Sequence, residues 1–212
     1  KYTEITREYA IRGTYCDLAI KLDEKPRFLI EVKAIGLALK ENHLRQAISY
    51  AANEGIEWVI LTNGDHWQAH RVIFGKPIKT EVAFDFRFSE VSKPAALGEY
   101  FFLISKEGVR KSAIDEFHEE CQLTSRFMVA AALQTEPVVA AVRKQLCAVS
   151  CKVKIDPERI LHTLVNHVIK REALDGEEAA QAKKRLAAVG RQQKKKAEVS
   201  KISEQQAPTA LN

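Results

Sequence analysis

The chain has 212 residues, 46% hydrophobic and 29% charged, the balance of a soluble globular protein with room for one sizeable domain or a domain plus an appendage. Its 33 Lys and Arg against 28 Asp and Glu give a formal +5, but residues 176–212 hold eight of the former and four of the latter, so +4 of that sum sits in the last segment. The remaining body is nearly neutral, and net charge alone does not make it a nucleic-acid binder. No apolar run approaches the roughly 18 residues of a membrane span. The polar opening KYTEITREYA does not read as a secretory signal, so a cytoplasmic location is the expectation.

Composition divides the chain into a strand-rich body over 1–92, a helical subdomain over 93–172 and a basic tail over 173–212, expected to be partly disordered or helical. The expected fold class is α/β: a mixed sheet with helical cover, followed by the helical subdomain. A first strand is expected around Arg7 to Arg12. Gly13 to Ile20 reads as a second, with Cys16, Leu18 and Ile20 on one face and Tyr15, Asp17 and Ala19 on the other. Asp23-Glu24-Lys25-Pro26 is turn chemistry, and Phe28 to Lys33 returns as an antiparallel partner. Leu44, Ala47, Ile48 and Ala51 form the apolar stripe of a helix over 39–53. Residues 57–62 read as a buried strand, Asn63-Gly64-Asp65 as a tight turn, and Trp67 to Phe74 as the returning strand. The pattern is hairpin, helix, hairpin.

Pro94 opens the helical part, with further helices expected over 112–134, 136–149 and 156–172. Pro137 and Pro157 suit first-turn positions, and Asp156 suits an N-cap. Residues 177–189 can form a surface helix. The cysteines Cys16, Cys121, Cys147 and Cys151 contain no CxxC pair and are expected reduced and mostly buried, with Cys147 and Cys151 at a helical spacing.

The chemistry lies in polar groups where a strand should be apolar. Phe28, Ile30 and Val32 share one face; Leu29, Glu31 and Lys33 share the other, so Glu31 and Lys33 project side by side near the strand end. Asp17 lies on the paired strand among apolar residues. Two carboxylates from adjacent strands suit a hard divalent cation, with the Val32 backbone carbonyl as a third oxygen and Lys33 beside it to orient an attacking water. The plain alternative is a solvated ion pair of little energetic consequence. On the helix, Gln46 and Tyr50 stack four residues apart, with His43 nearly on the same face and all three off the apolar stripe. Asp65, His66 and His70 read as turn and edge-strand residues, and no GxSxG or GxxxxGK[ST] motif occurs.

Asp17, then Glu31-Val32-Lys33, then Gln46-xxx-Tyr50, then Leu61-Thr62-Asn63-Gly64, resembles the PD-(D/E)xK nuclease superfamily, and within it the N-terminal nuclease domain of type I restriction enzyme R subunits or a stand-alone relative. The resemblance spans about residues 5–75 and implies a restriction-endonuclease-like sheet. It implies that Asp17 and Glu31 bind Mg²⁺ (or Mn²⁺), that Lys33 is the catalytic lysine, and that Gln46 and Tyr50 support the site or contact DNA. Glu8 falls where such domains often carry a further acidic residue, with Glu4 as a competitor. Cys16 stands where the superfamily often has proline. The implied activity is Mg²⁺-dependent endonucleolytic hydrolysis of DNA in a restriction system, with DNA, further copies of the chain or other restriction subunits as partners, no membrane and no ATP site in this chain. The alternative is a nuclease-fold module that grips nucleic acid or a partner subunit without cutting, which the near-neutral body favours. A site-free structural α/β protein is the remaining possibility.

Overall fold

A computed structural model describes residues 5–11, 14–150 and 152–205, with side chains outside that description at 11, 14, 15 and from 193 onward. Six strands form one sheet in sequence order: β1 (Ile5–Ile11), β2 (Thr14–Leu22), β3 (Lys25–Val32), β4 (Trp58–Thr62), β5 (His66–Ile73) and β6 (Lys79–Arg87). All neighbours are antiparallel except β3 and β4, which run parallel in the register Phe28↔Trp58 to Val32↔Thr62. A parallel pair needs a crossover, and helix α1 (Glu41–Glu54) supplies it. The expected pair of hairpins is therefore tied together by a strand–helix–strand unit, which a local reading of turns does not show.

The period-2 pattern of β3 sorts its side chains between two cores. Phe28 and Ile30 join Trp58, Ile60, Ala69, Phe84 and Phe86 on one face. Leu29 joins Ala19, Val59, Val72 and the α1 residues Ala47 and Ala51 on the other. The α1 stripe thus lands where its spacing directs it, with Leu44 and Ile48 at its margins. Gly55 closes the helix at φ 68°, a left-handed position that suits glycine. Phe28, Leu29 and Ile60 are fully buried, and each such side chain contributes roughly 1.5–3 kcal/mol.

The opposite face is covered by α2 (Pro94–Leu103), α3 (Lys106–Arg110) and α4 (Ala113–Leu123), through Leu103, Ile114, Tyr100, Phe101 and Phe117. Tyr100 stacks on Phe86 at 4.5 Å, and Phe101 meets Trp67 edge-on at 5.2 Å. Contacts divide the chain into two compact units, Lys1–Cys121 and Gln122–Asn212. The first includes α2 to α4, helices that composition groups with the later ones.

In the second unit, α5 (Arg126–Leu133) packs on α8 (Glu177–Gln205) through Met128, Ala131 and Ala182, while α6 (Glu136–Val149) packs on α7 (Pro157–Thr163). Asp156 caps α7 as its sequence position suggests, accepting from Glu158 N at 3.1 Å. Two expected helices are shorter than their periodicity. The span 112–134 breaks at Ser125, whose hydroxyl accepts from Met128 N and starts a new helix. The span 156–172 passes from α7 into a π-helical turn at Leu164–Val168 and a 3-10 turn at Arg171–Ala173. No helix among the described residues is long and apolar enough to cross a membrane. The cysteines differ from the expectation of burial: Cys16 is buried, Cys121 is exposed on α4, Cys147 is intermediate, and Cys151 lies outside the described residues.

Candidate active site

The β2–β3 register ends at the pair Leu18↔Ile30, and Asp17 and Glu31 are the residues that follow it on the two adjacent strands. Val32 N donates to Asp17 Oδ2 at 2.7 Å, which fixes the exposed aspartate to the strand that carries Glu31 and Lys33. On the same face, Lys33 Nζ donates to Glu31 Oε1 at 2.6 Å. This is no solvated surface pair, because the Lys33 and Glu31 side chains are only 18% and 4% exposed. The second carboxylate oxygen, Glu31 Oε2, is buried without a hydrogen-bond partner. Such an orphan is costly and calls for a ligand. A buried carboxylate oxygen with no donor, beside a second carboxylate on the adjacent strand, fits a hard divalent cation. Among the described residues no group of three or more His, Cys, Asp or Glu is arranged to hold a metal.

Cys16 departs from the expected alternation. It packs with Ala19 and Leu29 on the α1 side rather than with Leu18 and Ile20. Glu8, in the β1 ladder between the pairs Arg7↔Leu18 and Tyr9↔Cys16, takes φ 48°. Glu8 is thereby placed opposite Asp17, exposed. Burial pushes the Cys16 thiol up to about 11, with the Glu31 and Asp17 carboxylates adding to it. It is a neutral thiol at pH 7 and donates to Ile30 O at 3.4 Å.

Helix α1 lies on the face that Glu31 and Lys33 share. Gln46 Nε2 donates to Tyr50 OH at 2.9 Å. Gln46 is exposed as expected, but Tyr50 packs against the Ala47–Ala51 core and is not off the stripe. His43 Nδ1 accepts from Lys40 N at 3.3 Å, closing the first turn of the helix rather than serving the site.

The strand end is braced by the turn after β4. Lys33 N donates to Thr62 O at 2.7 Å. Buried Asn63 donates through Nδ2 to Leu37 O at 2.8 Å, while its Oδ1 accepts from Asp65 N and His66 N. The tight turn expected at Asn63-Gly64-Asp65 therefore also anchors the loop that follows Lys33.

A polar network on β5 and β6 goes beyond what sequence reading found. His66 Nε2 is 2.6 Å from Asp85 Oδ1, and Gln68 Nε2 donates to Asp85 Oδ2 at 2.8 Å. His70 is 5% exposed, and its buried Nε2 lacks a partner. Burial holds its pKa below the usual histidine value, against an opposing pull from Asp85. Burial disfavours the Asp85 carboxylate too, but the bonds from His66 and Gln68 prevail and keep its pKa below the usual value. His66 and His70 are thus not turn and edge residues, since β6 covers β5. The alternation His66, Gln68, His70 was the available signal; Asp85 could not be joined to it without the β5–β6 register, Gln68↔Asp85.

Residues 3–79, about a third of the chain, match the family model described as type I restriction enzyme R protein N terminus. No curated protein matches the chain, and no solved structure does. The matched span holds Asp17, Glu31, Lys33, Gln46 and Tyr50 together with β1 to β5, so residues 3–79 are similar to type I restriction enzyme R protein N termini.

Proposed function

We propose that the first unit is a restriction-type endonuclease module that hydrolyses DNA phosphodiester bonds with Mg²⁺ or Mn²⁺. The observation that carries this is Glu31: a buried carboxylate with one oxygen on Lys33 at 2.6 Å and the other unpartnered, next to the anchored Asp17. Glu31 and Asp17 would hold the cation, with the Val32 carbonyl as a further oxygen. When bound, such a cation offsets charge developing on the phosphate and makes water easier to deprotonate.

The chain's own residues divide the remaining work. Lys33 sits at the rim, its ammonium already fixed by Glu31, so it can donate to a phosphate oxygen or orient the attacking water without reorganising. Gln46 is exposed and steadied by the Tyr50 hydroxyl, a polar contact for the sugar–phosphate backbone. Glu8, across from Asp17, is a further acidic group at the edge of the site. DNA is the proposed partner, with other restriction subunits or a second copy beyond it, and the cytoplasm the proposed location.

Nicking of supercoiled plasmid with Mg²⁺ or Mn²⁺ tests this. Wild type should nick, and Asp17→Ala and Lys33→Ala should each lose about 10²-fold or more. Equal nicking by all three would end the proposal. Binding of the same plasmid without nicking would favour the non-cutting module.

A further inference from the structure

The segment between the ExK strand and α1 is apolar throughout: Ala34-Ile35-Gly36-Leu37-Ala38-Leu39. The side chain of Ile35 is 82% exposed and that of Leu37 42%. Such a tip is ordinarily polar, and this one is not. Leu37 N donates to Ala34 O at 3.0 Å, closing a turn with Ile35 and Gly36 in the middle. Gly36 takes φ 83°, the positive value that the third position of a type II turn requires. Asn63 Nδ2 grips Leu37 O from the β4–β5 turn. An isoleucine is thus held out to solvent, two residues past Lys33, by two backbone constraints.

Its surroundings limit what it can meet. Lys40, Glu41, Asn42 and Arg45 follow as exposed polar groups. A stable protein interface takes roughly 20–30 residues a side, and a six-residue tip with a polar border offers far fewer. A single aliphatic side chain is the size of the wedges that proteins press between base steps. The position agrees: two residues separate Ile35 from Lys33, at most about 7 Å of chain, and stacked bases lie about 3.4 Å apart.

We propose that Ile35 is a wedge that presses against bases flanking the phosphodiester held at Glu31 and Lys33, opening the stack next to the cut. This rests on the nuclease reading of that site. Asn63 is a positioning residue for the wedge, because it holds the turn that presents it.

The test uses the full chain and a duplex with 2-aminopurine at several adenine positions, with Ca²⁺ in place of Mg²⁺ or Mn²⁺ so that a cation is present while the duplex stays intact. Bound wild type should raise the 2-aminopurine emission about threefold, the sign of unstacking. Ile35→Ser should bind within about threefold by anisotropy yet leave the emission flat, Ile35→Leu should keep the rise, and cutting by Ile35→Ser with Mg²⁺ or Mn²⁺ should fall about tenfold. Its melting temperature should not move, which separates the wedge from a structural role. Emission that stays flat with bound wild type, or rises equally with Ile35→Ser, overturns the wedge. Cutting without an emission change removes the wedge and keeps the nuclease; an emission rise without cutting in either metal does the reverse. A duplex that does not bind overturns both.

Discussion

Replacing Lys33 by Ala isolates the feature on which the site depends. The Glu31 side chain is 4% exposed, Oε1 has Lys33 Nζ at 2.6 Å, and Oε2 has no partner. Without Lys33 a buried carboxylate is left with neither oxygen compensated. Breaking a buried pair from one side costs about 3–5 kcal/mol, and Lys33's partial exposure places this case near 3 kcal/mol, since water can enter where the lysine leaves. For a unit of this size about 1 kcal/mol moves the melting temperature by roughly 4 °C, so a fall of about 12 °C is expected. The assay is thermal unfolding followed by tryptophan fluorescence. Both tryptophans, Trp58 and Trp67, lie in the first unit, so the signal reports that unit alone. Glu31→Gln in the Lys33→Ala background should recover most of the loss, because it removes the stranded charge. Millimolar Mg²⁺ should stabilise Lys33→Ala more than the Glu31→Gln/Lys33→Ala double variant, by the mass action of a ligand that binds only the folded site. A Lys33→Ala variant within about 0.5 kcal/mol of wild type would mean that Lys33 and Glu31 behave as a solvated surface pair and not as a buried one.

Other perturbations read the framework around the site. Gly108→Ala should destabilise the first unit by about 2 kcal/mol or more in the same assay, because a Cβ there would overlap the Phe102 carbonyl oxygen beneath α3. Asn63→Ala should cost about 2 kcal/mol, because the Leu37 carbonyl and the Asp65 and His66 amides lose their partner together. Acidification from pH 7.5 to 5.5 should lower the unfolding midpoint. Burial holds His70 and His118 below the ordinary histidine value, against Asp85 and Glu81, so the unfolded chain takes up protons below about 6.5 that the folded one refuses. That stability is present above 6.5 and lost as pH falls below it. His70→Leu should narrow the difference, and a midpoint that rises on acidification would contradict the sign.

Much of the site was legible because it is written in local alternation. Leu29, Glu31 and Lys33 share a face for the same reason that Phe28 and Ile30 share the other, and the α1 stripe identified its own buried side. What sequence left hidden depends on register between distant segments or on backbone exceptions. The parallel pairing of β3 with β4 follows from the crossover, not from any turn residue. Cys16 packs on the α1 side against its period-2 assignment, a break in the pleat that the sequence does not announce. The orphaned Glu31 Oε2 is a fact of burial that a period-2 pattern cannot supply, and the His66–Asp85 pair required β6 in its place beside β5. The exposure of Ile35 and Leu37 is similar, since an apolar run does not announce that the fold leaves it at the surface.

The proposed chemistry requires a cation in the space between the two carboxylates. Crystals soaked in Mn²⁺ and measured for anomalous scattering answer this. The prediction is one peak bonded to Glu31 Oε2 and an Asp17 oxygen, absent from Glu31→Gln crystals. Mn²⁺ bound only elsewhere, or a peak that survives Glu31→Gln unchanged, would contradict it.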